Sequence, residues 1–235
     1  MTGSYGTETL RNGRYRLSFT VGGLLAVQGR SIASLFVDRG SLDEPERTRT
    51  ETPDYAGDVV AAREVGERIV RVRQQAVDGN VLAVRTQSAN SRMVSEVLKR
   101  LSALTQEEIR YVSASDTPID DCRALMWVAM CRYYALVGEF ASEVLRDHYL
   151  LGLPTVTHED YDRFIRGKAM WHAELEELSE TTAVKLRSNL FKALHEARLV
   201  NQHDHTLLPS LLSNRVTDIL KQRPESFLFF PMAEG

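Results

Sequence analysis

The chain has 235 residues, 43% hydrophobic and 26% charged, a balance that fits a folded globular protein and excludes a disordered one. Its length accommodates one generous domain or two small lobes sharing a core. A formal net charge of −3 excludes wholesale coating of nucleic acid, so any basic surface has to be segregated onto particular faces. The two cysteines, Cys122 and Cys131, fall on one apolar helical stretch and point in different directions there. They read as buried, reduced thiols of a cytoplasmic protein.

Met1 to Gly13 reads as a polar tail without a signal-peptide pattern. A helix is predicted from about Val21 to Asp38, with Leu25, Ile32, Leu35 and Phe36 on one side and Gly40 as a stop. Ser41 to Gly57 carries Pro45, Pro53 and alternating charges, a solvated connection. From Asp58 to about Val77, Val59, Ala62, Val65, Ile69, Val72 and Ala76 recur at helical intervals and predict an amphipathic helix. Asp78-Gly79-Asn80 ends it, and a second amphipathic helix runs from Ser88 to about Leu104.

Thr105-Gln-Glu-Glu108 and Thr117-Pro118-Ile119-Asp120 are helix-start patterns, the latter with proline at the favoured first position. Pro118 to Leu151 is apolar nearly all round and predicts one long central helix. Arg132, Glu139, Glu143, Arg146 and Asp147 exclude it as a membrane span. Thr157 to Asp160 opens a helix carrying Tyr161, Phe164 and Ile165. A short helix follows at Trp171 to Leu178, a longer one at Thr182 to Ala197, a small wing or loop at Leu199 to Leu207, and a last helix at Leu208 to Gln222. Phe227 to Phe230 forms an apolar tail expected to dock on its own core. No run alternates strictly enough to demand a sheet. The expected fold class is all-α: a compact multi-helix globular fold around a central apolar helix. Its parts are a tail (1–13), an N-terminal helical lobe (14–115), the central helix (116–152) and a C-terminal helical lobe (153–235).

Two of these helices share a polar pattern. Ser88, Arg92, Ser95 and Lys99 are spaced four, three, four, and so are Thr181, Lys185, Ser188 and Lys192. At ~100° per residue each quartet falls within a stripe of roughly 60°. The opposite faces match in offset: Met93, Val97, Leu98 and Leu101 in one, Leu186, Leu190, Phe191 and Leu194 in the other. Hydroxyl-rich turns precede both, Arg85-Thr86-Gln87 and Ser179-Glu180-Thr181.

Hydroxyls and helix-terminal N–H groups suit phosphate oxygens, and Arg or Lys further along suit phosphates or guanine edges. Arg85, Arg92, Lys99 and Arg100 against Glu96 give the first region a local charge of +3. Lys185, Arg187, Lys192 and Arg198 against Glu196 give the second the same. Arg85 joins the two quartets as a candidate DNA contact, and each element reads as helix-turn-helix-like, the second followed by the small wing or loop at Leu199 to Leu207. A plain solvated face is the competing reading of both stripes. The acids Glu174, Glu176, Glu177 and Glu180 stand immediately before the second quartet and favour the first.

Enzymatic readings find little support. His203-Asp204-His205 lacks a metal-ligand spacing and reads as a solvated loop. Nothing marks Cys131 as an activated nucleophile beside the distant His148 or His172. Val21-Gly-Gly-Leu24 is a glycine pair suited to close packing and is no phosphate loop. No catalytic residue, metal or cofactor is expected.

The sequence as a whole resembles the BrxA family of the bacteriophage exclusion (BREX) defence systems. The resemblance rests on Tyr15 to Leu24, Asn80 to Ser88, Leu125 to Tyr134, Glu139 to Leu145, Asp160 to Phe164 and Lys185 to Phe191, ending near Phe230-Pro231. Asp38 to Ala62 is longer and more charged than the family pattern. The resemblance implies an all-helical fold with helix-turn-helix segments, binding to double-stranded DNA, and service beside other BREX components, a DNA methyltransferase among them. It implies no catalytic activity. The resulting expectation is a monomeric, non-catalytic DNA-binding protein with no membrane attachment; a helical adaptor for other defence proteins is the alternative.

Overall fold

The computed structural model describes residues 13–37 and 55–232, with side chains of the second span described from residue 66. Residues 1–12 of the expected tail and 38–54 of the charged connection lie outside the described residues. Eleven α-helices make up the described residues, with one π-helical and one 3-10 segment and no strand. The expected all-α class is what the chain adopts.

Residues 14–25 form an extended strap rather than the start of a helix. Gly22 and Leu25 adopt left-handed backbone (φ 66° and 59°), which a right-handed helix cannot contain. Helix α1 therefore begins only at Ala26 and runs to Val37 (Ala26–Val37). Helix α2 (Tyr55–Asp78) is followed by a turn in which Asn80 and Ala83 are left-handed. Asn90 closes that turn by donating to the Val77 carbonyl (3.1 Å). Helix α3 (Gln87–Leu101) starts on Thr86, whose hydroxyl accepts from the Ala89 N–H (3.3 Å). Helix α4 (Gln106–Ser113) opens with the expected capping box between Thr105 and Glu108.

Helix α5 (Ile119–Tyr133) departs from expectation at its start. Pro118 is the cap rather than the first helical residue, and the Thr117 hydroxyl donates to the Tyr111 carbonyl (2.6 Å). The long central helix is also interrupted. Tyr134 is extended (φ −110°, ψ 95°), and helix α6 (Ala135–Phe140), a π-helical turn (Ala141–Arg146) and helix α7 (Asp147–Leu150) follow in succession. Two contacts hold that break: the Tyr134 hydroxyl donates to buried Glu96 (2.8 Å), and Gly138 lies close above the Cys131 carbonyl. A Cβ on Gly138 would stand 2.8 Å from that backbone oxygen.

Helix α8 (His158–Ala169) carries a Thr157–Asp160 capping box. Helix α9 (Ala173–Glu176) is shorter than the expected Trp171–Leu178, and helix α10 (Glu180–Glu196) is capped by Ser179. The expected wing reduces to two isolated antiparallel bridges, Val200 with Leu207 and Thr155 with Thr206. Helix α11 (Asn214–Leu220) is shorter than the expected Leu208–Gln222, because the Leu208 and Ser210 N–H groups donate to the distant Leu199 and Pro231 carbonyls (2.9 and 3.1 Å) and Ser213 supplies the cap. The last element is a 3-10 helix (Pro224–Phe229). As expected, the apolar tail docks on its own core, with Trp127 Nε1–H donating to the Phe229 carbonyl (2.8 Å).

The core is built about α5, where Leu125 to Met130 are all fully buried. Helix α1 packs against α3, α4 and α5. Phe140 joins the last third of the chain to this core through ring contacts with Tyr161, Phe164 and Phe191.

Three polar clusters are buried within it. Arg100, wholly buried, donates to Glu96 (3.0 Å) and to the strap carbonyls of Gly23 and Leu24 (2.6 and 2.9 Å). Arg132 pairs with Glu108 through two bonds (2.8 and 3.0 Å) and reaches Ser226 in the 3-10 helix (2.8 Å). Asp121 accepts from Tyr111 (2.5 Å) and Ser213 (2.8 Å), pushing the Tyr111 hydroxyl up to about 12 together with burial, the larger cause.

Removing one partner of a buried pair leaves the other charge uncompensated, so Glu96→Ala is expected to lower stability by about 3–5 kcal/mol in urea unfolding. Arg92→Ala, on the exposed face of the same helix, is expected to change it by under about 0.5 kcal/mol. Gly138→Ala is expected to lower stability by about 1–3 kcal/mol, since the obstacle is backbone and cannot swing aside.

Candidate nucleic-acid interface

Helix α10 is divided cleanly by its periodicity. Leu186, Leu190, Phe191 and Leu194 are buried, while Thr181, Lys185, Ser188 and Lys192 are all exposed on the opposite side. The helix follows α9 after a three-residue turn, and the bridged loop 200–207 comes after it.

Helix α3 shows the same division less completely. Val97, Leu98 and Leu101 are buried and Met93 is half-buried against the core. Ser88 and Arg92 are exposed, as is Arg85 in the preceding turn. Ser95 is half-buried; its hydroxyl donates to the Ser91 carbonyl (2.8 Å) and accepts from Arg73 Nε (3.3 Å). Lys99 is drawn back to Ser18 (3.3 Å) and Glu96 (3.8 Å). The side chains of Arg85, Arg92 and Lys185 form no ion pair or hydrogen bond among the described residues.

Two details of the charge distribution differ from the sequence reading. Arg100 is not a surface cation: it is buried with Glu96, and the surface charge of Arg85, Arg92 and Lys99 remains. Two of the acids before α10 are occupied by the strap. Glu174 accepts from the Tyr15 N–H (2.7 Å), and Glu177 pairs with Arg14 (2.9 Å). Burial raises the Glu174 carboxyl, but that N–H bond and neighbouring His172 outweigh it and hold the group below its usual range.

The strap brings the two helices to one place. Lys99 on α3 donates to Ser18, Asn189 on α10 donates to the Phe19 carbonyl (3.2 Å), and Glu196 accepts from the Leu24 N–H (2.6 Å). Gly23 permits this approach: a Cβ there would meet Glu196 Oε2 at 2.6 Å and Lys192 Cγ at 2.7 Å.

Sequence reasoning missed two features of this surface. Arg73 on α2 joins the first stripe through Ser91 and Ser95, and its exposed place on an amphipathic helix is the only signal it gave. His158, His195 and His205, far apart in sequence, gather around Phe191. His158 lies 4.4 Å and His205 5.3 Å from the Phe191 ring, and His195 stacks on His205 at 5.6 Å. No local pattern announces such a cluster. They line an open cavity of about 620 Å³ together with Ser188 and Lys192 of the second quartet.

A second cavity, of about 720 Å³, lies beside the break in the central helices. Four of its ionisable groups satisfy one another: the Tyr15 hydroxyl donates to Glu139 (2.6 Å), and Lys168 bridges Glu139 and Glu143 (2.6 and 2.7 Å). Burial pushes the Cys131 thiol well up, so it lacks the character of an activated nucleophile. Among the described residues no group of three or more His, Cys, Asp or Glu side chains is arranged to hold a metal ion, and no helix is long and apolar enough to cross a membrane.

A solved structure of an uncharacterized protein from Magnetospirillum magneticum has the same fold, with a TM-score of 0.67 over 92% of this chain and 96% of that one, at 18% identity. A curated relative, BREX protein BrxA of Bacillus cereus (strain H3081.97), is 26% identical over 132 residues, covering 56% of this chain. The matched stretch spans 65% of that relative's length. The BrxA family model matches residues 58–224, which is most of the chain. The match takes in both polar stripes, all of α5 and the histidine cluster, and the chain belongs to the BrxA family.

Proposed function

We propose that this protein is a non-catalytic component of a BREX phage-defence system that holds double-stranded DNA, mainly by its phosphates, through the polar faces of α10 and α3. The observation that carries this reading is the exposure of all four residues Thr181, Lys185, Ser188 and Lys192 on a helix whose other face is core. A short helix, a tight turn, a longer helix with a polar face and a bridged loop is the order of a winged helix-turn-helix, which lays its second helix in the major groove. Lysines and hydroxyls are phosphate-directed donors, and α10 offers no Asn or Gln on its exposed stripe for bidentate reading of adenine. Weak sequence preference follows. Ser88, Arg92 and Arg85, with Arg73 beside them, form a second patch of the same chemistry.

An adaptor role has one observation in its favour. Met170 and Trp171 stand 77% and 84% exposed at the end of α8, an apolar pair suited to a protein partner.

Fluorescence anisotropy with a short duplex at two salt concentrations tests the proposal. Affinity is expected to fall with salt, with a slope of roughly −0.9 per phosphate contacted. Arg92→Glu and Lys185→Glu are each expected to weaken binding, and Lys185→Ala to reduce the salt slope by about 1. Unchanged binding by the Arg92→Glu/Lys185→Glu double variant would mean that the stripes are merely solvated. Trp171→Ala is expected to leave duplex affinity unchanged; a pull-down of other BREX components that is lost with this variant, without any duplex binding by the parent chain, would favour the adaptor.

A further inference from the structure

The cavity of about 620 Å³ beside α10 gathers an unusual density of positive and proton-accepting groups. Arg123 comes from α5, His158 from the start of α8, Lys192 and His195 from α10, and Arg198 and His205 from the segment after it. The nearby acids are already partnered, and one of them, Glu196, lines the cavity itself and lies 3.8 Å from Lys192. Asp120 bridges the two arginines, at 2.5 Å from Arg123 and 2.7 Å from Arg198; Glu196 accepts from the Leu24 N–H; Asp162 is held by Arg187 through two bonds (2.8 and 2.9 Å). Asp204, on the exposed loop, accepts from the Thr206 N–H (3.0 Å). Each arginine spends one N–H on Asp120 and keeps further donors.

Two of the lining residues hold a backbone conformation that ordinary side chains avoid. Arg198 (φ 58°) and His205 (φ 57°) are left-handed. Arg198 occupies the position after a helix end where glycine is the usual residue: its N–H bonds to the His195 carbonyl (3.0 Å), and the Leu199 N–H to the Leu194 carbonyl (3.0 Å). An arginine kept there sets a charged group at the mouth of the cavity. In the same lining, His195 Nε2 and His205 Nδ1 are shielded from solvent and have no hydrogen-bond partner among the described residues.

We infer that this cavity is a proton-linked oxyanion site, filled by a backbone phosphate of the duplex held on α10. The inference rests on the DNA-holding reading for the source of the phosphate, while the chemistry of the site stands on its own residues. In the free protein, burial first, then Arg187 and His205, lowers the pKa of His158; burial, then His205 and His158, lowers that of His195. Both rings therefore take up a proton less readily than a free imidazole. A bound anion reverses the balance by stabilising the imidazolium form, so binding takes up protons and affinity rises as pH falls. Without a ligand the sign is opposite. Depressed histidines contribute stability above their ordinary range, near 6.5, that is lost as pH falls below it.

The test follows the imidazole ring protons of the full chain by NMR while sulfate, whose charge does not change in this range, is added, and measures duplex affinity from about pH 7.5 to about pH 5.5. Expected results are ring shifts of His158, His195 and His205 with sulfate, and duplex affinity that rises roughly tenfold on acidification at constant salt. Arg198→Gly relieves a left-handed residue, so the fold is kept; it is expected to weaken the sulfate response and lower duplex affinity several-fold. His195→Gln is expected to flatten the pH profile, whereas Lys185→Glu, outside the cavity, lowers duplex affinity at every pH and leaves the sulfate response intact. An adventitious effect of acid would show as an equally steep profile in His195→Gln and Arg198→Gly, and overturns the inference, as do ring signals that ignore sulfate. Rings that answer sulfate in a chain that binds no duplex support the oxyanion site and overturn the DNA-holding reading.

Discussion

Glu96, Arg100 and Tyr134 form the buried contact on which the geometry of the rest depends. A charge pair removed from water is a poor source of net stability, but it is exacting about where its partners sit, because any unpaired member is heavily penalised. Arg100 spends its donors on Glu96 and on two carbonyls of the strap, and Tyr134 turns out of the helical path to donate to the same carboxylate. One cluster thus fixes the rotation of α3, the course of residues 14–25 and the point at which the central helix is broken. Burial and the Glu96 charge together raise the Tyr134 hydroxyl far above its ordinary range, so it keeps its proton and donates it to Glu96, with the Ser18 hydroxyl 3.3 Å from the same oxygen.

The strap carries that constraint to the other half of the molecule. Once its carbonyls are anchored on α3, Phe19 and Leu24 present the backbone groups that receive Asn189 and Glu196 of α10. Two helices separated by residues 102–179 of the chain are thereby related through a single extended segment, with Gly23 at the point of closest approach. The same segment occupies Glu174 and Glu177, two of the acids that would otherwise face an anionic partner beside α10. A protein of net charge −3 can in this way keep a locally basic surface, by folding carboxylates into its own contacts and leaving lysines and arginines outside.

Much of the architecture was legible from residue pattern. Apolar spacing located every major helix, the Thr105–Glu108 and Thr157–Asp160 boxes marked two starts correctly, and the aromatic tail docked as expected because four apolar residues near a chain end gain more from burial than from water. The errors fell where tertiary contacts override propensity. A helix was expected from Val21, but Gly22 and Leu25 are left-handed in a strap whose carbonyls serve Arg100. One long helix was expected through Tyr134, but the hydroxyl of that residue is claimed by Glu96.

For the polar stripes, the sequence by itself determined which residues share a helical face, since that depends only on the 3.6-residue period. It marked Thr181, Lys185, Ser188 and Lys192 as one row and Ser88, Arg92, Ser95 and Lys99 as another. Only the tertiary structure decided which members reach solvent: all of the row on α10, but on α3 chiefly Ser88 and Arg92, because Ser95 and Lys99 are bonded to neighbouring elements. It alone turned Arg100 inward, turned Glu174 toward the strap, and gathered three histidines from distant positions around Phe191. The physical reason is the same in each case. Periodicity is local and written in one segment, whereas the pairing of a buried charge or an aromatic ring is settled by whichever distant segment packs against it.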